Sequence, residues 1–122
     1  MTVSSELLEK SENEFRGYGR IVRPPFFRDS TNGVARLEFL LETPKMRLDH
    51  ATGEKKLCTP WHRIVVWGKK AEQYRGLLAG DCVSITGELQ TSKDPAHKGQ
   101  SEIHAYRVVP DADALAEGES DV

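Results

Sequence analysis

The 122-residue chain has few cysteines and no long apolar segment, and each shortage excludes a class of protein. Its two cysteines, Cys58 and Cys82, are too few for a disulfide framework or a tetrahedral zinc site. No segment approaches the ~18 consecutive apolar residues of a membrane span, and the first residues lack the charged-then-apolar pattern of a secretory signal. We therefore expect reduced thiols, a cytoplasmic location and no membrane partner.

Patterns typical of catalysis are also missing. The four histidines, at positions 50, 62, 97 and 104, are scattered over several predicted elements. No zinc-protease, phosphate-loop or nucleophile-elbow motif occurs. The sequence therefore predicts a protein that is not an enzyme and has no catalytic residue, no metal and no cofactor.

Charge is distributed unevenly along the chain. The total is −2, but residues 1–14 hold one lysine and four glutamates, and residues 111–122 hold five acidic residues and no basic ones. Residues 15–110 hold 16 lysines and arginines against 10 acidic residues, a net charge of +6. This body suits a polyanionic partner, because phosphate binding needs a local basic face rather than a basic total. The alternative is that the charge only solvates the body.

Residues 59–91 form the best-defined unit. A strand is predicted first, because the side chains alternate with a period of two. One face carries Trp61, Arg63, Val65 and Trp67, and the other carries His62, Ile64 and Val66. A helix is predicted from Lys69 to Leu78 with Gly68 as its N-cap. A second strand follows from Val83 to Leu89, in which Gly87 indicates a bulge or bend.

Other elements are predicted on both sides of this unit. The further strands run from Glu14 to Val22, Ala35 to Leu41 and Ser101 to Val109. The last of them places Ile103, Ala105 and Val109 on one face. Asn32-Gly33 predicts a turn, and residues 45–58 predict a polar hairpin arm. The predicted domains are a polar N-terminal extension (1–13) with a helix capped by Ser4 or Ser5, a folded domain (14–110) and a short acidic disordered tail (111–122).

Three segments of the sequence carry a family resemblance: DHATGE, WHRIVVWGK and GDCVSITGELQT. Together they resemble the bacterial single-stranded DNA-binding protein (SSB) family over about residues 15–109. The resemblance implies an all-β fold with one short helix, a five-stranded oligonucleotide-binding (OB) barrel. It also implies sequence-tolerant binding of single-stranded DNA in replication, recombination, repair or the maintenance of a mobile element. A homotetramer is expected, with a dimer as the alternative and His62 at a subunit contact. An adaptor like the primosomal protein PriB and an RNA-binding OB module remain alternatives.

Aromatic and basic side chains supply the candidate DNA contacts. Every base can stack on an aromatic ring, and cations can neutralise phosphates. The stacking candidates are Trp61, Trp67 and Phe27, one of two adjacent phenylalanines of which one is expected to be buried. The backbone candidates are Arg47, Lys55, Lys56, Arg63, Lys69 and Lys70. For each tryptophan the alternative is core packing.

The chain departs from the family pattern in two respects. Two further stacking tryptophans of the family would fall near Arg47 and Asp94, so this chain lacks both. Its tail ends in Glu119-Ser120-Asp121-Val122, without the family's Asp-rich tip that finishes in Pro-Phe. Recruitment of other proteins through the tail is therefore not expected.

Overall fold

Strands separated by glycine and proline turns shape most of the chain. The computed structural model describes residues 3–29 and 33–111, so Asn32 of the predicted turn and the tail beyond Asp111 lie outside the described residues. The strands are β1 (Phe15–Ile21), β2 (Phe26–Asp29), β3 (Ala35–Glu42), β4 (Lys45–Leu48), β5 (Lys55–Cys58), β6 (Trp61–Trp67), β7 (Cys82–Thr91) and β8 (Ser101–Pro110). The helices are α1 (Ser5–Lys10) and α2 (Lys69–Gln73), and a 3-10 turn covers Pro95–His97.

Five of the strands close into a barrel. Their order is β1-β7-β8-β6-β3, and pairing of β1 with β3, through Ile21 and Leu41 among others, closes the ring. β6 and β8 are parallel, while the other neighbours in the ring are antiparallel. β2 adds to the edge of β3, and β4 and β5 form a separate hairpin arm. This topology confirms the OB barrel that the resemblance implies.

The core lies inside this ring. Strand β3 contributes one of its faces to the core, because its residues alternate between buried and half-buried along the whole strand. Ile64 and Val66 of β6 are fully buried, which confirms the apolar face predicted there. Burial of each large aliphatic side chain contributes roughly 1.5–3 kcal/mol. The remaining core side chains are Ile21, Ala35, Leu37, Phe39, Leu41, Ala71, Val83, Ile85, Ile103 and Val108.

Helix α2 is shorter than the sequence predicts. The expected helix ran to Leu78, whereas α2 ends at Gln73 and the chain continues in turns. Gly76 accounts for the early end, because a glycine inside a helix costs about 1 kcal/mol relative to alanine. Tyr74 and Leu77 still pack against the core from these turns. The helical spacing of these apolar residues therefore reflects their packing against the core and does not indicate a longer helix.

The N-terminal segment joins the barrel at Asn13. Its side-chain amide donates to the Leu89 carbonyl oxygen at 2.9 Å and accepts from the Leu89 N–H at 2.8 Å. Helix α1, which precedes it, has no buried residue. Ser4 caps α1 as predicted, since its hydroxyl accepts the N–H of Leu7 at 3.1 Å.

A β-bulge interrupts the pairing of β7 with β8 at the glycine where the sequence indicates one. Thr86 pairs with Arg107 and Gly87 with Ala105, so Tyr106 is the extra residue. The close approach of the two backbones at this point leaves no room for a side chain on Gly87.

The bulge also changes which side chains of β8 face the core. The extra residue shifts the alternation by one position. Val108 is therefore 4% exposed and belongs to the core, whereas Val109 is only half-buried. The expected grouping of Val109 with Ile103 was wrong, because the bulge adds one residue to β8 between them.

Gly87→Ala is expected to lower the free energy of unfolding by about 1–3 kcal/mol, because the added atom overlaps the backbone of β8. Its Cβ would lie 2.4 Å from the His104 carbonyl oxygen and 2.8 Å from the Ala105 Cα. Gly76→Ala is the matched control, since its Cβ would meet nothing within 4 Å. Urea unfolding followed by circular dichroism measures both variants, and equal midpoints would contradict the expectation.

Candidate functional site

The outward face of β6 carries both tryptophans of the chain. Trp61 is 52% exposed and Trp67 is 41% exposed, whereas Val65 between them is fully buried. Both indoles are therefore surface groups, and core packing does not account for either.

Arg63 lies on the same face, but its charge is already paired. The guanidinium contacts the Glu38 carboxylate, while its Nε lies 3.7 Å from Glu102 Oε2 and its Nη2 lies 3.9 Å from Asp94 Oδ2. Arg36 Nη2 lies 3.9 Å from Glu38 Oε1 and 3.8 Å from Glu102 Oε2. These five residues are called the charge cluster below.

Strand register assembles the charge cluster from four parts of the fold. Arg36 and Glu38 lie on β3, Arg63 on β6, Glu102 on β8, and Asp94 in the loop between β7 and β8. Both arginine side chains are 13% exposed and that of Glu102 is 6% exposed. Arginines this far from water need such partners, because an unpaired buried charge is costly. Arg63 is therefore held in a cluster of ion pairs, and its contact with a DNA phosphate stays a prediction.

Trp67 borders a cleft of about 280 Å³. The Arg36 guanidinium carbon lies 5.2 Å from the centre of its ring, within the range of a cation–π contact. The Trp67 Nε1–H donates to His104 Nδ1 at 3.2 Å. Lys93 also lines the cleft, so a cation and an aromatic ring border the same recess.

The two adjacent phenylalanines lie on opposite faces. Phe27 pairs with the buried Leu37, packs against the core, and has the Arg75 guanidinium carbon 4.2 Å from the centre of its ring. Phe26 pairs with Glu38, is 60% exposed and borders a second cleft of about 260 Å³. Strand register therefore favours Phe26 over the predicted Phe27 as a stacking ring, since Phe26 is exposed and Phe27 only half-buried.

The cations of the hairpin arm are divided between its two faces. Arg47 and Lys56 are cross-strand partners and share one face. Lys55 lies on the other face, together with the exposed Met46. Lys56 Nζ lies 3.0 Å from Asp49 Oδ2, and this hydrogen bond is the main cause that holds the pKa of Asp49 below its usual range. Arg47, Lys55 and Lys56 are all exposed, but of these three only Arg47 and Lys56 face the same side.

Lys69 and Lys70 begin helix α2, and both are exposed. The Nζ of Lys70 donates to the main-chain carbonyl oxygen of Tyr106, the extra residue of the bulge. Lys70 therefore links α2 to β8. This structural contact is separate from its candidate role as a phosphate contact.

His62 is directed into its own chain. Its Nε2 lies 2.8 Å from Thr43 Oγ1, and its ring centre lies 5.0 Å from that of Phe15. Partial burial lowers the pKa of His62 below its ordinary value and so favours the neutral imidazole. The structure contains one chain, so the subunit contact at His62 stays a prediction.

Ion pairs with lysine or arginine engage several of the acidic side chains, among them Glu38, Asp49, Asp94 and Glu102. Across residues 3–29 and 33–111, no group of three or more His, Cys, Asp or Glu side chains is arranged to hold a metal ion. In the same part of the chain, no helix has the length and apolar character that a membrane crossing requires.

Known proteins share both the sequence pattern and the barrel. The profile of the Single-strand binding protein family matches residues 13–113. Plasmodium falciparum SSB, solved in complex with single-stranded DNA, superposes with a TM-score of 0.73 at 28% identity, over 83% of this chain and 96% of that chain. The small single-stranded DNA-binding protein from Streptomyces coelicolor gives 0.67 at 20% identity, over 82% and 93%.

A Thermus aquaticus single-stranded DNA-binding protein, solved as a deletion mutant, also shares the fold. Its TM-score is 0.71 at 24% identity, over 81% of this chain. The match covers 50% of the Thermus chain, so the present chain spans about half of that protein's length.

Arg63→Met is expected to lower the free energy of unfolding by about 3–5 kcal/mol, because it leaves Glu38 and Glu102 with one arginine instead of two. Methionine keeps most of the side-chain volume, so the loss reports on charge. Lys69→Met, which removes an exposed cation, is the control and should change stability by less than about 0.5 kcal/mol. If chemical denaturation gives the two variants the same stability, Arg63 is not held by the cluster.

Proposed function

Because the chain belongs to the single-strand binding protein family, we propose that it binds single-stranded DNA and catalyses no reaction on it. The observation that carries the proposal is the pair of exposed indoles, Trp61 and Trp67, at the two ends of strand β6. Six residues of extended chain separate them by about 20 Å. The two rings therefore stack on different bases of the same DNA strand, and each contact contributes about 1–3 kcal/mol whatever the base.

Phe26 is the third stacking ring in this proposal, in place of Phe27. Its ring is 60% exposed, and the Arg28 guanidinium carbon lies 6.0 Å from the ring centre. A cation beside an exposed ring suits a nucleotide, because the ring takes the base and the cation the phosphate.

Phosphate neutralisation comes from the margins of the face rather than its centre. Arg47, Lys56 and Lys69 are exposed on the arm and at the start of α2. In the centre of the face, Arg36 and Arg63 are paired with three carboxylates, so they leave no net positive charge there for phosphate. The DNA backbone therefore follows the arm and α2, and the bases turn toward β6. Lys55 and Lys70 add charge near this path without sharing its face.

Function in this proposal requires more than one barrel. A single barrel offers a short face, and the arm exposes the apolar side chains of Met46, Leu48 and Leu57. A two-stranded hairpin alone is at best marginally stable in water, so this apolar face favours a second chain as its support. The assembled protein is a homotetramer, with a dimer as the alternative, acting in DNA replication, recombination, repair or mobile-element maintenance. Its binding unit is the domain at 14–110, between the polar extension and the acidic tail.

Titration with oligo-thymidine is expected to quench the tryptophan emission and to show affinity that falls as salt rises. Trp61→Ala, Trp67→Ala and Phe26→Ala should each weaken binding by about 5- to 150-fold, which corresponds to the loss of one stacked base. Phe27→Ala is the matched control: it should lower stability because Phe27 packs against the core, yet leave affinity nearly unchanged. Equal affinity for duplex and single strands would sink the proposal.

Sedimentation equilibrium is expected to give a mass about four times the 13.7 kDa of one chain, or twice that mass for the dimer. Leu57→Lys and Met46→Lys should shift the equilibrium toward monomer, because they place charge on the apolar face of the arm. Lys55→Glu changes charge on the same face without removing an apolar side chain and serves as the control. A strictly monomeric mass at micromolar concentration rules out the assembly.

A further inference from the structure

A chain of hydrogen bonds runs from Trp67 back to the charge cluster. Trp67 Nε1–H donates to His104 Nδ1 at 3.2 Å, and His104 Nε2 lies 2.7 Å from Glu102 Oε1. The other carboxylate oxygen of Glu102 faces Arg63 Nε at 3.7 Å and Arg36 Nη2 at 3.8 Å. Hydrogen bonds thus link Trp67 to His104 and His104 to Glu102, and longer ion-pair contacts link Glu102 to the two arginines.

The geometry fixes the tautomer of His104. An indole N–H can only donate, so Nδ1 must accept and carries no proton. The proton of the neutral imidazole therefore lies on Nε2, where it donates to Glu102. Glu102 Oε1 lies 2.7 Å from His104 Nε2 and accepts this bond, while the other carboxylate oxygen faces two arginines. The hydrogen bond to Glu102 therefore selects the tautomer that can hold the indole.

We propose that His104 is a positioning residue that sets the orientation of Trp67 for base stacking. This role rests on the proposed function, since it concerns how one stacking ring is prepared for DNA. Trp67 is the last residue of β6 and is 41% exposed, so packing alone restrains its ring only on part of its surface. Arg36 lies on the ring at 5.2 Å, and the bond to His104 fixes the ring edge. An indole ordered before binding avoids the entropic cost of being ordered by DNA.

Two substitutions separate the two hydrogen bonds of His104. Asparagine presents its acceptor oxygen near the position of Nδ1, whereas the longer glutamine reaches the position of Nε2. His104→Asn therefore keeps the bond to Trp67 and loses the bond to Glu102, and His104→Gln does the reverse. If His104 only filled space, His104→Gln would not be expected to disturb Trp67 more than His104→Asn does.

Both substitutions are made in a Trp61→Phe background, where Trp67 is the sole tryptophan. Without DNA, time-resolved fluorescence anisotropy is expected to show fast local rotation of the indole in His104→Gln but not in His104→Asn. Affinity for oligo-thymidine should fall about 2- to 10-fold in His104→Gln, the cost of ordering one side chain, and stay within about twofold in His104→Asn. Equal anisotropy decays for the two variants would overturn the proposal.

A double-mutant cycle tests the role without requiring His104→Gln to fold. His104→Ala should weaken oligo-thymidine binding in the wild-type chain, but not in Trp67→Phe, which keeps a ring and lacks the N–H donor. The same loss in both backgrounds would overturn the positioning role. The anisotropy measurement uses no DNA. If the anisotropy decays of His104→Asn and His104→Gln differ but the protein does not bind oligo-thymidine, the proposed function alone is refuted. Normal binding with equal decays refutes the positioning role alone.

Discussion

The antiparallel pairing of β3 with β6 is the constraint on which the candidate site depends. Its register sets Arg36 beside Trp67 and Glu42 beside Trp61, with Arg63 between them. The inward residues of both strands pack in the core, and this packing fixes the register. The neighbours of the outward residues are therefore fixed as well. A shift of one residue would turn both tryptophans into the barrel and bring core residues to the surface. Stability of the barrel and composition of the binding face are therefore set by the same register.

The centre of the face is neutralised by the protein itself. The body of the chain is basic, with a net charge of +6 over residues 15–110, yet Arg36 and Arg63 are paired with three carboxylates. One of these is Asp94, near which the family resemblance places a stacking tryptophan. Its pKa lies below the usual range, chiefly because its carboxylate accepts the Ala96 N–H, so it is anionic at neutral pH. The chain lacks an aromatic ring at this position and has instead a carboxylate that faces Arg63 from the β7–β8 loop.

Local patterns in the sequence predicted most of the barrel but little of the charge cluster. The hairpin arm, the Ser4 cap and the bulge at Gly87 depend on neighbouring residues, and the structure bears them out. The alternation in β6 holds for the two tryptophans, Ile64 and Val66, whereas Val65 on the face of the tryptophans is buried as well. The partners of Arg63 lie on three other parts of the chain and meet only after the ring closes, so no local pattern reveals them. Which of the two adjacent phenylalanines is exposed depends in the same way on pairing with β3, so the sequence alone did not single out Phe26.

The charge cluster does more than offset buried arginines. Its carboxylate Glu102 selects the tautomer of His104, which in turn holds the indole of Trp67. In the proposed interface, charge at the centre of the face would therefore act on DNA through the orientation of an aromatic ring rather than through attraction to phosphate. Ion pairs this far from solvent are screened less by salt than exposed lysines are. In the proposed interface the two parts would thus respond differently to ionic strength: the exposed cations at its edge would lose their attraction for phosphate, while the ordered ring would keep its contact with the base.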